Sequence, residues 1–347
     1  MARFVIARLF ASIFLYFAIT LFVFVVFFVM PQPTIRAPGR GGNASDYDIH
    51  NSLRLHGTLP QQYVQFSWGI VRHGSLGTSY QNRRDVTDMI VAAAPVTLSL
   101  LFGGLIFWLL MALPIGILSA MRPRSLLDRG GMVFVLIGVS AHPAWLGLVL
   151  SWLLGFHWHI VPFTGYCEIF SPTTICGGPT QWAYHLLLPW FTFALLFAAI
   201  YARMIRASVL ETLDEEYVRT ARAKGAGEAK VLKSHVLRNA MLPIVTMVGM
   251  DIGTALGGVI FIESVFGLPG LGGMLRQAIT AKDLPVMLGV VTFTTIGILL
   301  LNLIIDISYA FIDPRVRFAQ GGLIRKRSPA ASRSGPVGEP AATATAS

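Results

Sequence analysis

Charge is what this sequence has least of. Only 13% of its 347 residues are Asp, Glu, Lys or Arg, while 54% are hydrophobic, against roughly a quarter charged in an ordinary soluble domain. That balance excludes a soluble globular protein and points to a chain solvated largely by lipid. Cysteine is nearly absent: Cys167 and Cys176 are the only two, with eight residues between them. The interval is not the short spacing of a zinc site, so the pair either closes a small bridged loop or stays as free thiols. No GxxxxGK[ST] occurs, so the chain has no loop of that kind to cradle nucleotide phosphates. HExxH and GxSxG are missing as well, which removes common zinc-hydrolase and serine-hydrolase readings. The eight histidines, His142, His157, His159 and His185 among them, are scattered over loops and span ends, and no metal site is expected. If such a chain moves something uphill, the energy comes from an ion gradient or from another subunit.

Long apolar runs are what it does have. A spanning helix takes about 20 mostly apolar residues, and six windows qualify: Ile6 to Met30, Pro95 to Ala120, Met132 to Phe156, Leu186 to Ile205, Ala240 to Ile262 and Leu284 to Ile312. The fold class is therefore all-α integral membrane with six transmembrane helices. Arg3 and Arg8 before the first window imitate a signal peptide, but the apolar run is too long and MPQPT offers no small-x-small cleavage site; an uncleaved anchor is expected. Nineteen of the 27 Lys and Arg fall at one side if the N-terminus is inside, and the positive-inside rule then gives an N-in, C-in topology. The net charge of +10 follows from that distribution, and no nucleic-acid partner is expected.

Four regions result. Residues 1–30 hold the first helix; 31–90, rich in Gly, Pro and Asn, form an external subdomain; 91–318 form the core, with a cytoplasmic loop at 206–242; and 319–347 read as a disordered cytoplasmic tail, lacking large apolar residues beyond a few. No internal repeat of the kind seen in duplicated transporter halves is visible.

The loop EYVRTARAKGAGEAKVLKSHVLRNAMLP, Glu216 to Pro243, is the most charged stretch between two hydrocarbon runs. Helix formers continue past Arg203 and Arg206 to Gly225 and Gly227, where a helix ends. A second begins near Glu228, whose charge suits a helix N-terminus. Ala229, Leu232, Val236 and Ala240 then recur at spacings of three and four, with Lys230, Lys233 and Arg238 on the other flank, an amphipathic pattern. Two readings stand: a surface to be gripped by another protein, or a basic loop that sets topology and lies on anionic lipid. Glu211, Asp214, Glu215, Glu216 and the Gly-x-Gly hinge exceed what a topology signal needs.

Within the spans, MVGMDIGTALGGVIF places Gly249, Gly253 and Gly257 at a four-residue spacing, a face for close helix packing. Asp251 lies between them; an ionisable group at membrane depth marks a pathway or a pairing site, so it is either a candidate pathway residue or makes a structural hydrogen bond or ion pair. Asp306, Asp313 and Arg315 are read as structural. SVFGLPGLGGMLRQAITAKD, between the last two spans, is too short and polar to cross and is expected to form an external plug or interfacial helix.

YVRTARAKGAGEAKVLKSHVLRNAMLPIVT resembles the cytoplasmic signature loop of binding-protein-dependent ABC importer permeases, specifically the dipeptide and oligopeptide branch. Arg219, Thr220 and Ala221 stand at that loop's Glu-Ala-Ala positions, and Gly225 lies five residues farther from Pro243 than in the general pattern; both departures suit the peptide branch. GSLGTSY (Gly74 to Tyr80), APVTLSL (Ala94 to Leu100), ESVFGLPGLGGML (Glu263 to Leu275) and NLIIDISYAFIDPRVRF (Asn302 to Phe318) are similar to segments of that branch in the same order, over roughly residues 1–318. The resemblance implies a type I ABC importer permease-like fold, a second similar permease, two cytoplasmic ATPase subunits that bind the ATP and Mg, an external solute-binding protein, and no cofactor or catalysis in this chain. It assigns ATPase coupling to Gly225, Ala226, Gly227, Glu228, Val231 and Leu232, flanked by Arg219, Arg222, Lys224 and Arg238, with the Ala229, Leu232 and Val236 face entering an apolar groove on the ATPase. Nickel and glutathione permeases resemble the same branch. A self-sufficient secondary transporter, expected to have repeated halves and buried charge pairs, and a membrane scaffold without transport are the readings from other classes.

Overall fold

The structure, a computed structural model, describes residues 2–29, 35–36, 43–44, 58–79, 81–169 and 176–312. The expected tail at 319–347 and much of the external subdomain lie outside them, as do Asp313, Arg315 and the side chain of Asp306. In chain order the elements are α1 (Ala2–Val29), a two-residue antiparallel pair β1 (Ile35–Arg36) and β2 (Asn43–Ala44), α2 (Leu59–His73), α3 (Val86–Met121), α4 (Leu126–Ser140), α5 (Pro143–Leu150) with a π-helical extension Ser151–His157, α6 (Pro179–Leu213), α7 (Glu216–Ala223), α8 (Glu228–Val231), α9 (Leu237–Phe266), α10 (Leu271–Ala281) and α11 (Leu284–Ile312). A π-helical turn, Leu232–Val236, joins α8 to α9, so that Glu228–Phe266 runs as one helix.

Five of these runs are long and apolar enough to cross a membrane: α1, α3, α6, Glu228–Phe266 and α11. The sixth expected span, Met132 to Phe156, is not one straight helix; α4 and α5 meet at 106°. The cause is local. Pro143 opens α5, and the residue before a proline is pushed out of the α region. His142 takes φ −68°, ψ 130°, and its Nδ1 accepts the Ala144 N–H at 3.2 Å, capping the new helix.

The packing shows that the bent pair nevertheless makes a crossing. Along α3 and α6, Gly103 lies against Trp190, Gly104 against Phe193 and Gly116 against Ile205; both numbers rise together, so the two helices are parallel. Parallel spans need a crossing between them. Asp128 meets Arg206, Gly138 meets Ala199 and Gly147 meets Thr192, so α4 and α5 climb back along α6 from one end to the other. On α9, Ala240 meets Ser208, Asp251 meets Tyr201 and Gly258 faces Phe193, again antiparallel to α6. Gly249 and Gly253 against Ile305 and Asn302 set α11 antiparallel to α9. Phe24 near the end of α1 clusters with Leu288 near the start of α11. Six alternating crossings therefore put the start of α1, the end of α11 and the loop after α6 on one face, called the basic face below.

Close approach is made by small residues, since lipid offers no hydrophobic drive between helices. A Cβ on Gly104 would overlap the Phe193 ring, and one on Gly116 would overlap Ile205. Two apolar clusters follow the bundle's length. One, with Leu100, Leu186, Trp190, Phe193, Val259 and Ile262, lies toward the far face. The other joins Trp108, Tyr201, Ile205 and Val209 to Val218, Val231 and Val236 of the basic-face loop. Trp108 is fully buried, stacked on Phe197 at 4.6 Å and edge-on to Tyr201 at 4.5 Å. On the far face sit α2, whose Thr58 N–H is taken by the Gln61 side chain at 3.0 Å, and α10, the expected short helix between the last two spans.

Candidate functional site

The basic-face loop is built as a braced hairpin. Chain leaves α6 at Leu213, turns at Asp214, and runs through α7 to Ala223. Gly225 then adopts φ +82°, a left-handed conformation that glycine alone takes without strain; its N–H bonds Arg222 O at 2.9 Å and Ala226 N–H bonds Ala221 O at 3.2 Å. Gly227 has φ −66° and serves as the N-cap of α8, so of the two expected helix breakers only Gly225 needs to be glycine for its backbone. Across the turn Arg222 grips Glu228 with two bonds, Nε to Oε1 at 2.9 Å and NH2 to Oε2 at 3.3 Å. The base is tied down by Ser208 donating to Ala240 O at 2.9 Å and by Asn239 donating to the Tyr217 hydroxyl at 2.8 Å.

The apolar face of this hairpin points inward. Val218, Val231 and Val236 have no exposed surface, and Leu232 packs half-buried on the same cluster. The expected docking face of Ala229, Leu232 and Val236 is thus corrected: Val236 and Val231 belong to the chain's own core, and only Ala229 of the three is exposed. The reason is that α8 emerges directly from α9, so its apolar side continues the side of α9 that packs on α6. What the loop presents is Arg219, Arg222, Lys224, Gly225, Gly227, Glu228, Ala229, Lys230, Lys233 and Arg238, all exposed, with Ala226 half-buried. That surface is basic, small-residue and polar.

Inside the membrane, Asp251 stands near the middle of α9, and its Oδ2 accepts the Tyr201 hydroxyl of α6 at 2.6 Å. Gly249 and Gly253 pack on α11, as the stripe suggested, whereas among the described residues nothing lies within 4 Å of a Cβ placed on Gly257. On the far face Cys167 and Cys176 form a disulfide with Cα atoms 5.3 Å apart. His185 Nδ1 lies 3.2 Å from Cys167 Sγ and 2.9 Å from Gln181 O, close enough for the three side chains to share an ion, but both sulfurs are committed to each other.

Two family descriptions match this sequence. Residues 112–318 match the binding-protein-dependent transport system inner membrane component, and residues 1–101 match the N-terminal part of the same kind of membrane component. The chain belongs to this inner-membrane family. Among its relatives, the dipeptide transport system permease protein DppB of Escherichia coli (strain K12) is 34% identical over 337 residues, covering 91% of this chain and 99% of that protein. The oligopeptide transport system permease protein AppB of Bacillus subtilis (strain 168) is 33% identical over 321 residues, covering 92% and 100%. The fold is shared with a chain of the methionine ABC transporter MetNI, solved in inward-facing conformations, at 18% identity and a TM-score of 0.50 over 65% of this chain and 96% of that one.

Besides Asp283, whose Oδ2 accepts the Ser79 hydroxyl, two buried acidic residues of this family member escaped the sequence reading. Glu263, at the end of α9, has no exposed surface; its Oε2 accepts the Gly272 N–H at 2.6 Å, and Thr97 Oγ1 accepts the Leu271 N–H at 2.9 Å. Together they seat the N-terminus of α10, where the helix dipole favours an anion. A Cβ on Gly270 would overlap the Glu263 carboxylate, so the glycines of LPGLGG serve close approach. The available signal was a lone Glu closing an apolar run just before a Gly-rich turn. Asp128 is the other: it accepts Arg206 Nε at 2.7 Å and NH2 at 2.9 Å, and the Arg124 N–H at 2.9 Å, pinning the start of α4 to α6. No spacing rule links residues 128 and 206, so only the fold reveals that pair.

Proposed function

We propose that this inner-membrane protein is the permease subunit of an ATP-driven importer of di- or oligopeptides. It shares a translocation pathway with a second, similar permease, takes cargo from an external solute-binding protein, and is driven by two cytoplasmic ATPase subunits that bind ATP and Mg. The chain itself performs no covalent chemistry. The peptide cargo is supported by the names of the full-length relatives, which are dipeptide and oligopeptide permeases; the nickel, glutathione and self-sufficient transporter readings gain no such support.

The observation that carries the coupling role is the hairpin tip. Lys224 to Lys230 is exposed except at half-buried Ala226, spanned by the Arg222–Glu228 ion pair, and rooted through Val231 and Val236 in the same cluster as Tyr201 and Ile205 of the spans. A force applied to the tip is therefore delivered into the bundle. The contact is polar, because the apolar side of the hairpin is already used.

The test is to replace Lys224 and Lys230 together by Glu in the co-expressed complex. Membrane insertion and pairing with the second permease should persist, while ATPase co-purifying with the permeases falls about tenfold or more, the effect of losing two charge-assisted contacts. Unchanged ATPase recovery would remove the tip from the interface.

A further inference from the structure

Helix α9 is covered on most of its circumference. α11 lies along Gly249 and Gly253, and α6 lies along Ala240, Asp251 and Gly258. Besides Leu242 and Val245 near its basic-face end, the stripe between these two contacts is left bare among the described residues: Met247, Met250 at 64% exposure, Thr254 and Phe261 at 64%, with open space over Gly257. These positions advance by three or four residues and so stay on one side of the helix. Asp251 stands at the edge of this stripe, half-buried, near the middle of α9 and hence near mid-membrane.

Its chemistry is unfinished. Tyr201, buried and wedged by Trp108, donates to Oδ2, which orients the carboxylate but brings no charge. Among the described residues no Lys, Arg or His pairs with it, and α9 and α10 carry no basic residue between Arg238 and Arg276. A carboxylate at membrane depth is costly without a partner and is usually turned to a cavity or an opposite charge. The bare stripe is otherwise methionine, threonine, glycine and phenylalanine, and methionine is the side chain that adapts to surfaces of varied shape.

We infer that this stripe lines the translocation pathway and that Asp251, oriented by Tyr201, receives the α-ammonium group of the passing peptide; the inference rests on the peptide reading above. The ammonium group is the one cation every unblocked peptide carries whatever its side chains. A fixed carboxylate for the constant group beside a pliable surface for the variable ones matches a cargo defined by class and not by sequence.

The test uses the complete complex, with its binding protein, in vesicles, and measures import of radiolabelled dialanine. Asp251→Asn keeps an oxygen for the Tyr201 hydroxyl but loses the charge, so a purely structural role leaves import near wild type. Import is expected to fall about tenfold to a hundredfold, the range for a hydrogen bond to a charged group. Asp251→Glu should recover part of the loss, and Tyr201→Phe, which keeps the charge, should lose less than the asparagine variant. Wild-type import by Asp251→Asn overturns the inference. So does failure of that variant to co-purify with the second permease, which would make Asp251 an inter-subunit pairing residue. A wild-type complex that imports no unblocked peptide overturns the peptide reading instead.

Discussion

Replacing Val231 by aspartate separates a face that holds the chain together from a face that meets a partner. Val231 has no exposed surface and packs with Val218, Val236, Ile205 and Val209. Removing it from that cluster forfeits about 1.5–3 kcal/mol of apolar burial, and an unpaired buried carboxylate adds at least about 2 kcal/mol more. A total of at least about 3.5–5 kcal/mol is a large part of the roughly 5–15 kcal/mol that stabilises a typical native protein. The assay is thermal unfolding of the purified permease in detergent, without the ATPase. Val231→Asp should lower the midpoint by about 7–20 °C, taking about 2–4 °C per kcal/mol, the range that holds for bodies of about 150–250 residues. Lys230→Asp, one residue away and exposed, should leave the midpoint within a degree or two, as surface changes do. If Val231→Asp melts like the wild type and loses only the ATPase, the apolar face is turned outward and the account of the hairpin is wrong.

Two further outcomes are expected. Gly253→Ala should destabilise the chain by about 1–3 kcal/mol, because its Cβ would overlap Asn302 of α11 and overpacking carries that penalty, whereas Gly257→Ala, with open space above it, should be neutral in the same melting assay. Arg206→Ala leaves Asp128, whose side chain is 8% exposed, without its guanidinium partner; a loss of about 3–5 kcal/mol is expected, with Asp128→Asn/Arg206→Met recovering much of it.

The spans were legible because length and hydropathy are one-dimensional quantities, and α11 begins at Leu284, where the apolar window does. The hairpin was legible from Gly225, which acts through its own backbone, and from Glu228, whose charge marks a helix N-terminus. Three things were not. A hydropathy window is blind to direction, so Pro143 inside an apolar run passed as span although it bends the helix by 106°. Periodicity reports that α8 has an apolar side but not what covers it; Val231 and Val236 read the same whether they face a partner or the chain's own Ile205. Glu263 could be placed only once the chain after Pro269 was known to fold back on the end of α9. The same blindness applies to the glycine stripe, where Gly253 and Gly257 look alike in sequence and meet different surroundings.

The unbroken run Glu228–Phe266 behaves as a lever arm. At 1.5 Å per residue its 39 residues extend about 58 Å, with the Gly225 turn at one tip and Glu263, clasping the start of α10, close to the other. A rod of that length pivoting by about 10° beside Asp251 sweeps its basic-face end through about 6 Å and its far end through about 4 Å. The displaced end on one side of the bilayer and the displaced end on the other are then a single motion, and the pivot falls beside Asp251. The π-helical turn at Leu232–Val236 and the missing amide at Pro243 offer compliance, both within the first half of the rod.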